Sequence, residues 1–553
     1  MIGEPVIGRA LSGRDALVKE LVAYGKKTSV KKRHMILAAL RKCGRSSMAA
    51  AVGKKLGGRG TRVLMLDFDQ RSAEALVEHM IHAVVLHLVP QPRGEKKEAT
   101  FQELLQRLPR KLDKVGPELQ ELWERWSGGM NEMDLLARCL LLPAKIQKAA
   151  GGNLWVVVDN FDRLASVMGE EFVGGPFKDA LGANRKVRWF LAGTPPSVME
   201  RLASDRGALA GLAEAFSFHG LSYNESMKSL QKQVTARALP PPYRAFLAAL
   251  TGGHPFYMQV LGDALRARKR ELGRRSRPDK LVLNALTYEL FAGAGRLNLY
   301  FDGLLAGAFN GWRAPELYMG MLEAIVRGQS SLAGISHFIR REAPALSRQV
   351  QNLLDSGLVN KDGTRYYIPD ALLRLWLRHV FLARREAHAP GHSRVNAFQS
   401  YFTGLLDDFL ETTETETVRR VAGILAASDG KAALPGTDED EQTAPIPRFD
   451  QVELAQKVGE TSFDLVARKD NEHWLFSVHE TAPTPKKLAA FASDVAAARK
   501  AISAKQTIQP IVVTFGSPAP AIVKSAAKHK LTIWKRSDVN RLAECYGMLP
   551  IVG

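Results

Sequence analysis

Short unbroken apolar runs alternate with longer amphipathic stretches through the first third of the chain. Residues 12–24 predict an amphipathic helix, with Leu17, Leu21 and Tyr24 on one face. Apolar runs at 35–38, 61–68, 154–158 and 187–192 predict strands. The intervals 72–89 and 99–148 read as helical, broken by Pro90, Pro92 and Gly94. Continuously apolar strands alternating with helices imply a parallel sheet covered on both faces. Residues 222–290 are helical, punctuated by Pro240, Pro241, Pro242 and by Gly252, Gly253, His254, Pro255. Residues 314–381 predict a compact helical unit with a hairpin. Its first helix is 314–327, its second starts at Ser331, and its third opens at Pro344. The hairpin, 358–367, turns on Asp362 and Gly363. Residues 428–447 are acidic, Pro-bearing and poor in apolar residues, which predicts a linker or mobile loop. A last α/β region, 448–553, carries predicted strands at 463–467, 474–480 and 511–515 and a helix at 486–503.

A chain of 553 residues is too long for one core. The expected organisation is a multidomain α/β protein divided at 1–221, 222–300, 301–385, 386–447 and 448–553. No apolar run approaches the ~18 residues of a membrane span. The N-terminus has no apolar signal core, so export is not expected. Cys43, Cys139 and Cys545 are scattered and fit no zinc spacing, which suits a reducing cytoplasm. The net charge of +20 changes the picture more, because such an excess attracts polyanions. One basic cluster is Lys26, Lys27, Lys31, Lys32 and Arg33. Another is Arg266, Arg268, Lys269, Arg270, Arg274, Arg275 and Arg277. The plainer reading of each is a solvated face.

The run 35–48 reads as a strand, a short turn and a helix start, the setting of a phosphate-binding loop. That pattern asks for Gly, four residues, then Gly-Lys-Ser/Thr. Ala39, Gly44, Arg45 and Ser46 stand at those positions. Such a loop works because backbone N–H groups and a helix N-terminus point at phosphates. Ser46 offers a hydroxyl to Mg²⁺. Asp159 ends an apolar strand, as a metal-holding carboxylate does. Thr194 ends another, placed to sense a γ-phosphate.

The three helices and hairpin of 314–367 make a winged helix-turn-helix pattern. Its third helix presents Ser347, Arg348 and Gln351 outward, with Arg340 and Arg341 just before it. Lys361 and Arg365 lie on the wing. Double-stranded DNA is the expected partner, with the third helix in the major groove and the wing near phosphates. A winged helix used only for protein packing has the same outline.

Taken in order, these segments resemble the AAA-related STAND-type P-loop ATPases known as the archaeal ATPase family. The likeness is carried by Gly13, Arg14 and Asp15, by residues 39–47, and by Val158, Asp159, Asn160, Phe161 and Asp162. It continues through residues 192–200, Gly252, Gly253, His254 and Pro255, and residues 366–370 and 375–378. The resemblance implies a P-loop NTPase domain, a helical lid, a winged helix and a nuclease-like C-terminus. It implies ATP and Mg²⁺ as cofactors. Nucleotide contacts would fall on Gly13, Arg14, Ala39, Arg41, Lys42, Cys43, Gly44, Arg45, Ser46, Ser47, His254 and Pro255. Mg²⁺ would fall on Ser46 and Asp159, and catalytic roles on Asp159, Asn160 and Thr194.

Three departures stand out. Ala39 replaces the first loop glycine, and a Cβ there disfavours left-handed backbone angles. Arg45 replaces the lysine with a longer planar fork. Asn160 replaces the glutamate that would activate water, and a neutral amide is no general base. Asp162 would substitute only if the turn aims it inward. The C-terminal region resembles the restriction-endonuclease-like, PD-(D/E)XK, fold. Asp464 takes its first acidic position, but Ser477 and His479 stand at the Glu-x-Lys positions, and Glu480 points to the opposite face of a regular strand. One carboxylate is a poor metal site, so a nuclease-shaped module without nuclease activity is expected.

Three readings follow: a DNA-associated protein in which ATP binding sets conformation with little hydrolysis, an active ATPase switch on DNA, and a nucleotide-free scaffold. Arg45 and Asn160 weigh against the second, while Gly44, Ser46, Asp159 and Thr194 weigh against the third. Protein partners through the winged helix or C-terminal domain, and a homo-oligomer, are the remaining expectations, with no membrane association.

Overall fold

The structure is a computed structural model describing residues 14–27, 30–58, 60–69, 72–89, 100–129, 131–234, 239–273, 276–309, 312–385, 391–414, 416–435, 443–503 and 505–551. Gly13, Pro90, Pro92, Gly94, Arg274, Arg275 and the middle of the acidic stretch, 436–442, lie outside the described residues. The chain divides into two units, Met1–Leu221 and Ser222–Gly553.

In the first unit the apolar run of the loop strand is buried along its whole length as β1 (His34–Ala39). Its side chains alternate between two cores. Ile36 and Ala38 join one, and Met35, Leu37 and Ala39 the other. β2 (Thr61–Asp67), β3 (Asn153–Asp159), β4 (Val187–Gly193) and β5 (Ala213–Phe218) complete a five-stranded sheet in the order β2-β3-β4-β1-β5. All four pairings are parallel. β5 has no counterpart among the predicted strands. It is an edge strand whose Glu214 and Ser217 break the apolar run that marks a buried strand.

Helices cover both faces. Asp15–Lys26 and Arg45–Leu56 pack on one. Ala73–Leu88, Glu132–Ala150, Phe161–Met168 and Pro196–Ala203 pack on the other. The helix leaving β1 and the helix leaving β4 therefore lie on opposite faces, although β1 and β4 are neighbours. That is a topological switch point, and in open α/β sheets the crevice beyond the strand ends there is where ligands bind.

The second unit begins with helices Tyr223–Gln233, Pro241–Thr251, Pro255–Leu272, Pro278–Phe291 and Arg296–Ala308. Helices Pro315–Val326, Leu332–Ile339 and Ala343–Asp355 follow, with the antiparallel hairpin β6 (Asn360–Asp362) and β7 (Arg365–Tyr367). Ser331 caps the second of these helices by accepting from the Gly334 N–H. Helices Gly391–Glu414 and Thr417–Ala426 then lead to a small hairpin, β8 (Ala433–Pro435) with β9 (Thr443–Pro445). This corrects the expectation of a linker over 428–447. Ser428, Ala432 and Ile446 are buried, because Ala432 and Ile446 supply the apolar contacts that the acidic centre lacks.

A second sheet ends the chain, β10 (Gln451–Val458), β11 (Thr461–Lys469), β12 (Glu472–His479), β13 (Thr507–Thr514) and β14 (Thr532–Lys535), in that order. β10, β11 and β12 pair antiparallel, and β12, β13 and β14 parallel. Thr417–Ala426 and Arg536–Cys545 pack on one face, Pro485–Ala501 and Pro520–Lys528 on the other. Among the described residues, no helix is long and apolar enough to cross a membrane.

Candidate functional site

The phosphate-loop segment leaves the carboxyl end of β1 and enters the helix Arg45–Leu56 through Leu40, Arg41, Lys42, Cys43 and Gly44. Ala39 is the last strand residue, paired with Phe218, and its side chain lies in the core. The left-handed geometry expected at Ala39 falls instead on Lys42 (φ 60°) and Gly44 (φ 90°). That corrects the strain argument: Ala39 carries no unfavourable angle, and the turn needs its glycine at 44. A Cβ on Gly44 would meet nothing within 4 Å, so the loop is open above it. Cys43 is buried beneath it. The helix begins with no side-chain cap, so its first N–H groups suit an anion.

Arg45 is the centre of the site. Its Nε donates to Asp159 Oδ1 at 2.8 Å. Its Nη2 donates to Asn160 Oδ1 in a short contact, and its Nη1 lies 3.6 Å from Asp162 Oδ1. The three partners come from the end of β3 and the first turn of the helix Phe161–Met168. Asp162 is aimed inward and accepts from the Thr194 N–H at 2.9 Å, with Thr194 Oγ1 at 3.4 Å from its other oxygen. Gly193 makes this approach feasible, because a Cβ there would stand 3.1 Å from Asp162 Oδ1 and collide with Met199. Asn160 sits in the left-handed region (φ 54°), which Asn tolerates better than most residues. Its amide donates to Asp67 Oδ1 at 2.7 Å. One guanidinium thus joins the ends of β1 and β3 and, through Asp162, the end of β4. The side chains of Arg45, Asp159 and Asp162 are only 10%, 13% and 15% exposed, so these contacts are weakly screened.

Asp67 was not singled out in the sequence, although it ends an apolar strand just as Asp159 does. Ser46 and Ser47 occupy the first turn of the loop helix. Arg14 is 8% exposed and donates to the His219 carbonyl at 2.6 Å while lying over the Phe218 ring. Its charge anchors the end of β5. His254 and Pro255 belong to the second unit, where His254 precedes the helix Pro255–Leu272 and stacks on Tyr257 at 4.1 Å.

The donor set at the loop fits phosphates. Magnesium is held in phosphate sites by one or two carboxylates together with phosphate oxygens. Asp159 offers one carboxylate and Ser46 a hydroxyl, but Asp159 Oδ1 is already engaged by Arg45 and by the Asn160 N–H at 3.0 Å. Among the described residues there is no group of three or more His, Cys, Asp or Glu side chains able to hold a metal by themselves.

In the second unit Arg340, Arg341, Ser347, Arg348 and Gln351 are exposed at the helix Ala343–Asp355, with Gln351 donating to Asp355. Arg365, expected beside them to meet phosphates, is not on a free surface. Its Nε donates to the Cys545 carbonyl at 2.9 Å, and its Nη1 contacts Ser330 and Asp429. Thr364 donates its N–H to the Lys431 carbonyl, and a Cβ on Gly363 would stand 2.4 Å from that oxygen. The tip of the hairpin is covered by the segment once expected to be a linker. Lys361 remains exposed, its ammonium 5.4 Å from the Tyr366 ring centroid.

At the second sheet Asp464 accepts from the Val478 N–H at 2.8 Å, and Ser477 Oγ lies 3.1 Å from His479 Nε2. Burial and then Lys487 hold the His479 imidazole below its usual range, against the opposing pull of Asp464. β12 ends at His479, so Glu480 lies beyond the strand, where it accepts from Thr417.

No family model matches the chain, and no curated protein matches it. Solved structures do show similarity. The Walker-type ATPase of Pyrococcus abyssi is 17% identical, with a TM-score of 0.45 over 68% of this chain and 99% of that one. The Aeropyrum pernix ORC2 protein, solved as ADPNP and ADP complexes, is 12% identical, with a TM-score of 0.40 over 70% of this chain and 98% of that one. The Aeropyrum pernix ORC1 protein, solved with DNA, is 16% identical, with a TM-score of 0.35 over 69% and 95% of the two chains.

Proposed function

We propose that this chain is a nucleotide-responsive, DNA-associated P-loop ATPase-like protein, in which ATP binding controls conformation and hydrolysis is weak or absent. The observation that carries this reading is the Arg45 contact set with Asp159, Asn160 and Asp162 at the switch point. In the structure the loop cation faces carboxylates and an amide. A triphosphate at the uncapped helix start would compete for it with a denser negative charge. Arg45 turning to phosphate would free Asp159, which with the Ser46 hydroxyl would hold Mg²⁺, whose chemistry is to neutralise the phosphate oxygens. It would also loosen the link that runs through Asp162 to Thr194, so occupancy is felt at the end of β4. Neither Arg45 nor Asn160 can take a proton from water at neutral pH, and the inward Asp162 carboxylate is engaged by Arg45 and the Thr194 N–H. The site is thus better suited to sensing than to turnover.

Calorimetric titration with Mg²⁺–ATP is expected to give saturable heat, with millimolar affinity or better. Absence of both heat and a thermal shift at millimolar ATP would remove the nucleotide from the account.

Residues 315–367 act as a winged helix that contacts a duplex through Arg340, Arg341, Ser347, Arg348 and Gln351, with Lys361 as the remaining wing cation. Arg365 has no part in it. Binding is expected to be largely non-specific and steeply salt-dependent. Arg348→Ala should weaken duplex binding and reduce the slope of log K against log salt by about 1. An Arg348→Ala protein with unchanged slope would move the contact elsewhere. The C-terminal sheet is proposed as a nuclease-shaped module without nuclease activity, supported by the Ser477 and His479 pair where metal ligands would be needed.

A further inference from the structure

The two basic clusters of the sequence have different fates. In the second cluster Arg266 pairs with Asp263, Arg268 with Glu271 and Arg277 with Asp279, and Lys269 donates to Ser276. Three of its cations, Arg266, Arg268 and Arg277, are thus ion-paired within the same helical segment. The first cluster gathers more cations instead. Lys27 follows the first helix, and Lys31 and Arg33 precede β1. β4 lies beside β1, so the approach to β4 adds Arg185, Lys186 and Arg188 at the same amino-terminal edge of the sheet. The convergence is fixed by hydrogen bonds. Arg33 donates to the Arg185 carbonyl at 3.2 Å, and Arg188 donates to the carbonyls of Gly25 and Lys27, each at 2.7 Å. Among the described residues, Glu214 is the one acid ion-paired with this group, through Lys32 at 3.3 Å.

The field at this edge is felt by its neighbours. Burial and then Arg33 and Arg188 push the His34 imidazole down to about 3, so a neutral ring accepts from the Trp189 N–H. Burial and then Arg33 also lower Arg188 itself. Among the described residues, Glu214 is the one ion-paired acid offsetting these like charges, and a polyanion would relieve the remaining repulsion.

We infer that the amino-terminal edge of the first sheet is a second nucleic-acid surface, one that takes the phosphate backbone of duplex DNA. It lies at the opposite end of the strands from the Arg45 site and does not depend on the nucleotide reading. The exposed side chains Lys27, Lys31, Arg185 and Lys186 supply the contacts, while Arg33 and Arg188 hold the scaffold. A protein partner is less well matched, because stable protein interfaces have an apolar centre. Among the described residues at 24–33 and 182–188, none is a large exposed hydrophobic. A closely spaced row of phosphates needs only positive charge and releases counterions when it binds.

The test uses the full chain carrying Lys31→Glu, Arg185→Glu and Lys186→Glu together. Fluorescence anisotropy with a short labelled duplex is followed between about 50 and 200 mM salt. The slope of log K against log salt should become shallower by roughly 2–3, and low-salt affinity should fall by on the order of 10-fold or more. Lys524→Glu, Lys528→Glu and Lys530→Glu, exposed on the second unit, make an equal charge change and should have a smaller effect. Mg²⁺–ATP calorimetry on the same triple should match the parent, which keeps this inference separate from the nucleotide proposal. Unchanged slope and affinity in the first triple, or equal losses in both triples, would overturn it. So would loss of binding to a polyglutamate probe with duplex binding intact.

Discussion

A chain carrying Arg45→Lys and Asn160→Glu together is expected to hydrolyse ATP on the order of 10²-fold faster than the parent, or more. The size comes from the general-base term, since a positioned acid–base group contributes about 10²- to 10⁴-fold. Glutamate at 160 supplies that group at the end of β3, next to Asp159. Lysine at 45 removes the fork that contacts Asp159, Asn160 and Asp162 together, because a compact ammonium cannot reproduce its planar geometry. The substitution at 160 has a folding cost. Asn160 is left-handed, and a longer side chain there loses about 1 kcal/mol. Turnover must therefore be compared in samples whose ATP binding and thermal unfolding are intact. A folded, ATP-binding double variant with parental turnover would mean that these two residues are not what limits hydrolysis.

The largest expected stability effect is at Asp362, the last residue of β6 before the hairpin turn. Its side chain is 5% exposed, faces Arg541 Nε at 3.0 Å, and accepts from the Ala433 N–H at 3.0 Å. Asp362→Ala leaves that buried N–H without its acceptor and Arg541 without its anion. Arg541 is 38% exposed and can recover part of its loss in water. The expected cost is roughly 2–4 kcal/mol, most of it from the buried groups. Asp362→Asn keeps an acceptor for Ala433 and should cost clearly less. Limited proteolysis near 429–446 and the unfolding transition of the second unit read the difference. Equal behaviour of the alanine and asparagine variants would show that the Ala433 contact contributes little. Because the hairpin is held this way, Arg365 serves the packing of the second unit.

The sequence made the strands of the first sheet visible where both faces are buried. β1 and β3 hold unbroken apolar runs, β4 is interrupted by Arg188 alone, and Asp159 and Thr194 stand at the ends of β3 and β4. β5, β10 and β14 have no counterpart among the predicted strands, although β2, also an edge strand, does. In β5 and β10 Glu214, Glu453 and Lys457 interrupt the apolar pattern, and β14 is only four residues long. At the site the sequence identified the residues but not their pairing. Arg45 was expected to face phosphate, and its actual partners lie 114 and 115 positions away, beyond what any local pattern encodes. Asp162 depended on a turn whose direction is set by Asn160's left-handed angle and by the absence of a Cβ on Gly193. The covered hairpin tip was hidden because composition showed the acid-rich middle of 428–447 more strongly than Ala432 and Ile446, which anchor its flanks.

The most direct test of a nucleotide switch is a duplex titration of the full chain with and without saturating Mg²⁺–ATP. Coupled sites change each other's affinity reciprocally, typically by about 5- to 150-fold. A nucleotide switch shifts duplex affinity within that range, loses the shift in Arg45→Ala, and shows the same factor in ATP affinity when duplex is present. Saturable ATP binding with identical duplex affinity in its presence and absence would contradict it.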